Sequence, residues 1–132
     1  MKNFIVKNGV VTVNNVDFIH CLLTPFNQNG VYRDTYTFTF FNTRSITFSV
    51  DKCGNMYGDV ALRFNGLFKQ KEVGATSDDY AIELHNIKSE GRHVEFDIIL
   101  IYDSDMSRKS EKICNVRVFE DYIRVDDIRY DI

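Results

Sequence analysis

A chain of 132 residues that is 44% apolar has the size of one domain and enough greasy side chain for its own core. Its 16 Lys and Arg are scattered and outnumbered by 19 acidic residues, net −3, which argues against a protein devoted to phosphate backbones and leaves room only for a local basic patch. No apolar run approaches the roughly 18 residues of a membrane helix, and Cys21, Cys53 and Cys114 are odd in number and lack metal-ligand spacing, so reduced thiols are expected.

In chain order, Met1-Lys2-Asn3-Phe4 enters a strand-like segment without an apolar leader, which predicts a cytosolic protein. Asn8-Gly9 suits a type I′ turn and would pair Val6 with Val11 and Phe4 with Val13. Asn15 to Leu23 reads as a short helix, with Asn15 as cap, Val16, Ile19, Leu22 and Leu23 at helical spacing, and Pro25 beyond its end. A short strand is the alternative there. Phe26 to Gly30 reads as a loop.

Val31 to Val50 carries the clearest pattern. Tyr32, Tyr36, Phe38 and Phe40 share one parity and Arg33, Thr35, Thr37 and Thr39 the other. The alternation resumes as Ile46, Phe48 and Val50 against Ser45, Thr47 and Ser49. Successive strand side chains point to opposite faces, so this is a hairpin with an apolar face and a hydroxyl face. The expected register is Phe40–Ile46, Phe38–Phe48 and Thr39–Thr47. A turn at Lys52-Cys53-Gly54 would then set Val50 against Met56, and Asn65-Gly66 would turn the next strand into Leu67-Phe68-Lys69. Gly74 to Asp79 reads as a polar loop.

Tyr80–Ile87 and Arg92–Tyr102 pair around Ser89-Glu90-Gly91, with Leu84 opposite Phe96 and His85 opposite Glu95. Ile98 to Ile101 is apolar on both parities, as in a central strand covered on both faces, with the short helix as the expected cover. Asp103 to Glu111 reads as a charged loop. The last hairpin turns at Glu120-Asp121, pairing Val118 with Ile123 and Val116 with Val125, and Ile128, Tyr130 and Ile132 alternate as an edge strand.

These segments predict an all-β fold with one short helix near residues 15-23, an antiparallel meander forming a β-sandwich or closed up-and-down barrel, with 1–132 as a single domain. Length and strand count resemble the small intracellular lipid-binding barrels in outline, without their motifs.

Three sets of residues carry functional expectations. Thr35, Thr37, Thr39, Ser45, Thr47 and Ser49 form an uncharged, flat β surface able to meet a partner or a second copy at low desolvation cost. Tyr32, Tyr36, Phe38 and Phe96 would line a cavity for a small apolar ligand if the interior were a barrel lumen rather than a filled core. His85, His93 and Glu95 would share the outer face of one hairpin, and two imidazoles with a carboxylate suit a divalent metal; a solvated polar face is the plainer reading. Asp97 to Ser107 resembles the first motif of haloacid-dehalogenase-type phosphotransferases, in which an apolar strand delivers a nucleophilic Asp followed by a second Asp and a Thr or Ser. The resemblance covers that run alone, and the strand-rich tail lacks the parallel α/β continuation that chemistry needs.

No catalytic set is complete and no cofactor is implied. Aromatics beside Lys and Arg on an outward face, as single-stranded nucleic acid requires, are suggested only by Tyr57 and Phe68 near Arg63, Lys69 and Lys71. The leading expectation is a non-enzymatic domain acting by protein–protein contact: an accessory, inhibitory or assembly protein. Scarce alanine beside abundant Asn, Ile and Phe fits an AT-rich genome, such as that of a low-GC bacterium or its phage, and a phage-encoded chain could belong to the virion. A ligand-binding barrel and a metal-dependent enzyme are the alternatives.

Overall fold

The computed structural model describes residues 4–6, 11–12, 20–40, 44–54, 60–66, 69–75, 80–91 and 93–131. They form twelve strands: β1 (Phe4–Val6), β2 (Val11–Thr12), β3 (His20–Gln28), β4 (Val31–Phe40), β5 (Arg44–Gly54), β6 (Val60–Gly66), β7 (Lys69–Ala75), β8 (Tyr80–Glu90), β9 (His93–Ser104), β10 (Ser107–Val118), β11 (Tyr122–Val125) and β12 (Ile128–Asp131). The second sheet is the meander β2-β3-β4-β5-β6-β7, and the first is the meander β8 to β12 with β1 added beside β8. All neighbours are antiparallel. Two separate sheets make this a sandwich rather than a closed barrel. Among the described residues no helix is long and apolar enough to cross a membrane.

One core lies between the sheets, because strands β3 to β11 turn an apolar parity inward. Phe38, Phe40, Phe64, Phe96, Ile82 and Leu84 are fully buried. Stacked rings run along the second sheet, Tyr36–Phe48 at 5.1 Å and Phe48–Phe64 at 4.8 Å between centroids. Phe96 of the first sheet meets Phe38 at 6.0 Å and Phe40 at 5.8 Å. At one end the Tyr36 hydroxyl lies 2.6 Å from that of Tyr80, which donates to the Asp34 carboxylate, tying the sheets together by hydrogen bonds.

Several expectations require correction. The predicted helix is overturned where it can be seen: His20 to Leu23 belongs to β3, with Cys21 and Leu23 buried and Leu22 exposed. That alternation is strand periodicity; residues 15–19 lie outside the described residues. The opening hairpin is also overturned, since β1 pairs with β8 and β2 with β3, in different sheets. A shared apolar parity does not distinguish neighbours within a sheet from segments facing across the core. No helix covers β9 within the described residues; Ile99 and Ile101 are half-buried on its outer face. The charged segment from Asp103 is a hairpin extension of β9 and β10, turning at Asp105-Met106, whose φ angles of 50° and 63° suit a type I′ turn.

Away from the β8 bulge the registers slip by even steps, which leave the faces unchanged. Phe38 pairs with Ile46, Tyr36 with Phe48 and Thr37 with Thr47. Strand β5 continues through Cys53 to Gly54, so Val50 meets Phe64 instead of Met56. Gly66 remains in its strand opposite Lys69, and β7 extends through Gly74 to Ala75. Leu84 faces Ile98. The last hairpin has the predicted pairs, Val118–Ile123 and Val116–Val125, and β12 is an edge strand beyond it.

Candidate functional site

The outer face of the second sheet is laid down by the parity opposite to the core. Cross-strand rows run Leu22–Thr37–Thr47 and Thr24–Thr35–Ser49, with Thr39 opposite Ser45. The Thr37 and Thr47 hydroxyls lie 3.5 Å apart. The structure thus brings together Thr35, Thr37, Thr39, Ser45, Thr47 and Ser49 as their alternation implies. It also adds Val31 and, concealed by the helix and loop assignments for residues 15–30, Leu22 and Phe26, all about half exposed. The alternation of Leu22, Thr24 and Phe26 against Cys21 and Leu23 was the available signal.

Charge on this face is confined to one end and neutralised there. Arg33 donates from both Nε (2.7 Å) and a terminal nitrogen (3.2 Å) to the Asp51 carboxylate, which Asn65 also approaches at 3.4 Å. A forked pair of this geometry fixes both side chains.

The candidate metal ligands are not gathered. A β-bulge between His85 and Lys88 opposes Asn86 and Ile87 to the single Phe96, and Asn86 takes the left-handed φ of 57° that Asn tolerates. His85 therefore faces Asp97, Glu95 faces Lys88, and His93 faces Glu90. His85 Nε2 is 3.6 Å from Glu83 Oε1, whereas the His93 ring stacks on Phe119 at 4.4 Å. Among the described residues no three His, Cys, Asp or Glu side chains are arranged to hold a metal.

Of the proposed ligand-lining residues, Tyr36 and Phe38 are buried against the Phe48 ring, Phe96 is buried against Phe38, and Tyr32 is half exposed. The four do not line one surface. Asp103, in the phosphotransferase-like run, pairs with Arg108 at 3.1 Å beside an antiparallel turn. Tyr57 and Phe68 lie outside the described residues. Cys21 and Cys114 are buried, which pushes both thiols up to about 12, and Cys53 is a half-buried residue of β5.

A polar cleft of about 430 Å³ opens on the outer face of the first sheet, lined by residues including Lys88, Glu95, Asp97, Lys112, Asn115 and Arg117. It lies between the β8 bulge and a second bulge at Lys112–Cys114 on the other side of β9, where Ile113 and Cys114 are both buried. Bulges bend a strand and re-aim its side chains. Asp97 is the anchor: Asn86 and Asn115 each donate to its carboxylate at 2.9 Å, and Lys112 Nζ lies 3.4 Å away. Burial alone would raise the Asp97 pKa, but the hydrogen bonds from Asn115 and Asn86, with the Lys112 charge, outweigh it and hold the carboxyl below its ordinary value. Asp126 is likewise held low, burial being outweighed by the Asn115 amide at 3.0 Å and Lys69 at 2.9 Å. Both carboxylates are satisfied internally, which gives the cleft ordered polar walls. Sequence reading missed it because the bulges that create it leave no periodic signature.

No known protein family matches this chain, nor does any curated protein or solved structure.

Proposed function

We propose that this chain is a non-enzymatic interaction domain that associates with a second copy of itself through the outer face of its second sheet. The supporting observation is the neutral surface on which exposed Leu22 and Phe26 adjoin the hydroxyl rows of Thr35, Thr37 and Thr47. Two copies of a chain of net charge −3 repel at most orientations. The charges of this face lie in one cross-strand row at its end, Arg33–Asp51 and Arg63–Glu72, each paired internally, so the Leu and Thr rows of two copies meet here without opposing like charges. Sheets stack face to face about 10 Å apart with interleaved side chains, a distance that Thr, Leu and Phe fill. An accessory, inhibitory or assembly role is the class of work this arrangement serves.

Sedimentation velocity of the native chain and of Thr37→Lys tests the reading. Thr37 is central, and a lysine there meets its counterpart or an apolar side chain across the interface. The native chain is expected to dimerise with rising concentration, and Thr37→Lys to weaken dimerisation about tenfold or more, roughly 1.4 kcal/mol, with an unchanged circular dichroism spectrum. A native chain that stays monomeric at its highest attainable concentration refutes self-association, as does a variant that dimerises equally well.

A further inference from the structure

On the outer face of the first sheet, three arginines stand directly opposite one another across three strands. Arg117 pairs with Arg124, and Arg124 with Arg129. Their outward direction follows from the buried Val116, Val118, Ile123 and Val125 on either side. Directly opposed like charges destabilise a sheet, and opposite charges are the usual arrangement. The outer two are offset: Arg117 Nε lies 3.6 Å from Glu95 Oε1, and Arg129 Nε lies 3.0 Å from Asp131 Oδ1. The side chain of Arg124, between them, has no ion pair or hydrogen bond with any described residue. The nearby Asp126 is already engaged by Lys69 and the Asn115 amide.

We propose that Arg117, Arg124 and Arg129 form a binding site for a compact phosphate-class anion, with Arg124 as its central ligand. A guanidinium presents a rigid fork that matches two oxygens of a phosphoryl group. Neighbouring strands are about 4.8 Å apart, so the row spans roughly 10 Å, the scale of one or two phosphoryl groups rather than of an extended polyanion. The platform is already ordered. His93, Phe119 and Tyr122 form a stack with centroid spacings of 4.4 and 4.5 Å, and the Arg129 guanidinium caps it 3.9 Å from the Tyr122 ring. An anion over Arg124 relieves the opposed charges and loses little to ordering. The site is on the sheet opposite the proposed self-association face and stands independently of it.

Isothermal titration of the native chain, Arg124→Gln and Arg124→Lys with inorganic phosphate, pyrophosphate and adenosine diphosphate tests this. Saturable pyrophosphate binding is expected in the native chain, weakened about tenfold or more in Arg124→Gln. Arg124→Lys should fall between, since charge remains while the fork is lost. Without anion, Arg124→Gln should melt no lower than the native chain, because only repulsion has been removed. Tighter binding of the nucleotide than of pyrophosphate assigns a nucleotide ligand; the reverse assigns a free phosphate compound. No saturable binding of any of the three, equal binding by Arg124→Gln, or a lower melting temperature of that variant without anion overturns the proposal.

Discussion

Replacing Tyr80 by Phe probes the hydrogen-bonded chain that joins the two sheets. The Tyr80 hydroxyl donates to Asp34, so the Tyr36 hydroxyl, 2.6 Å away, is the donor to Tyr80. In Tyr80→Phe the Tyr36 proton is left in the core without its acceptor, since Tyr36 is only 2% exposed. Stranding a buried donor costs about 1–3 kcal/mol. Asp34, half-buried, recovers water instead. In Tyr36→Phe the donor itself disappears, Tyr80 keeps its bond to Asp34, and the cost should be about 0.5–1 kcal/mol. At about 2.1 cal/mol/K per residue the unfolding entropy is roughly 0.28 kcal/mol/K, so Tyr80→Phe should lower Tm by about 4–11 °C and Tyr36→Phe by about 2–4 °C. Calorimetry of both variants and of the double variant measures the order and the coupling. A Tyr36→Phe change as costly as Tyr80→Phe would refute the assigned donor direction.

Two further outcomes follow from local geometry. Gly66 has φ +136°, and a Cβ there would lie 2.7 Å from the Phe48 Cα and 2.8 Å from the Thr47 carbonyl oxygen; Gly66→Ala should therefore cost about 3 kcal/mol or more in urea unfolding, because backbone on both sides must shift. Asn115→Ala removes a donor that holds Asp97 ionised. The folded Asp97 pKa is depressed, so its stabilisation is present above the unfolded pKa of about 3.9 and is lost as pH falls through the folded value. The variant should lose about 1–3 kcal/mol at neutral pH and show a smaller further loss on acidification; an unchanged acid limb counts against Asn115 as the support of Asp97.

Faces were legible in the sequence and, outside the last hairpin, registers were not, for one physical reason. Strand side chains repeat every two residues, so Phe38 is inward whether it pairs with Phe48 or, as found, with Ile46. Turn positions break that degeneracy, and Gly54 and Gly66 mimic turn residues while sitting within strands. The hydroxyl face survived these slips because it depends on parity alone. The cleft around Asp97 and the arginine row depend on bulges and on cross-strand neighbours. The cleft was not legible: across the bulge at Asn86 the β8–β9 register changes by one residue, so His85 faces Asp97 while His93 faces Glu90. The Arg117–Arg124–Arg129 row follows from the correctly read last hairpin and its extension to β12, so its signal was present in the residues.

The most direct measurement of the proposed role is a dilution series followed through methyl resonances by NMR. Association through the second sheet predicts concentration-dependent shifts at the methyls of Leu22, Thr35, Thr37 and Thr47, with Val116, Val118 and Ile123 unmoved. Shifts clustered on the first sheet, or spectra that do not change with concentration, would contradict it.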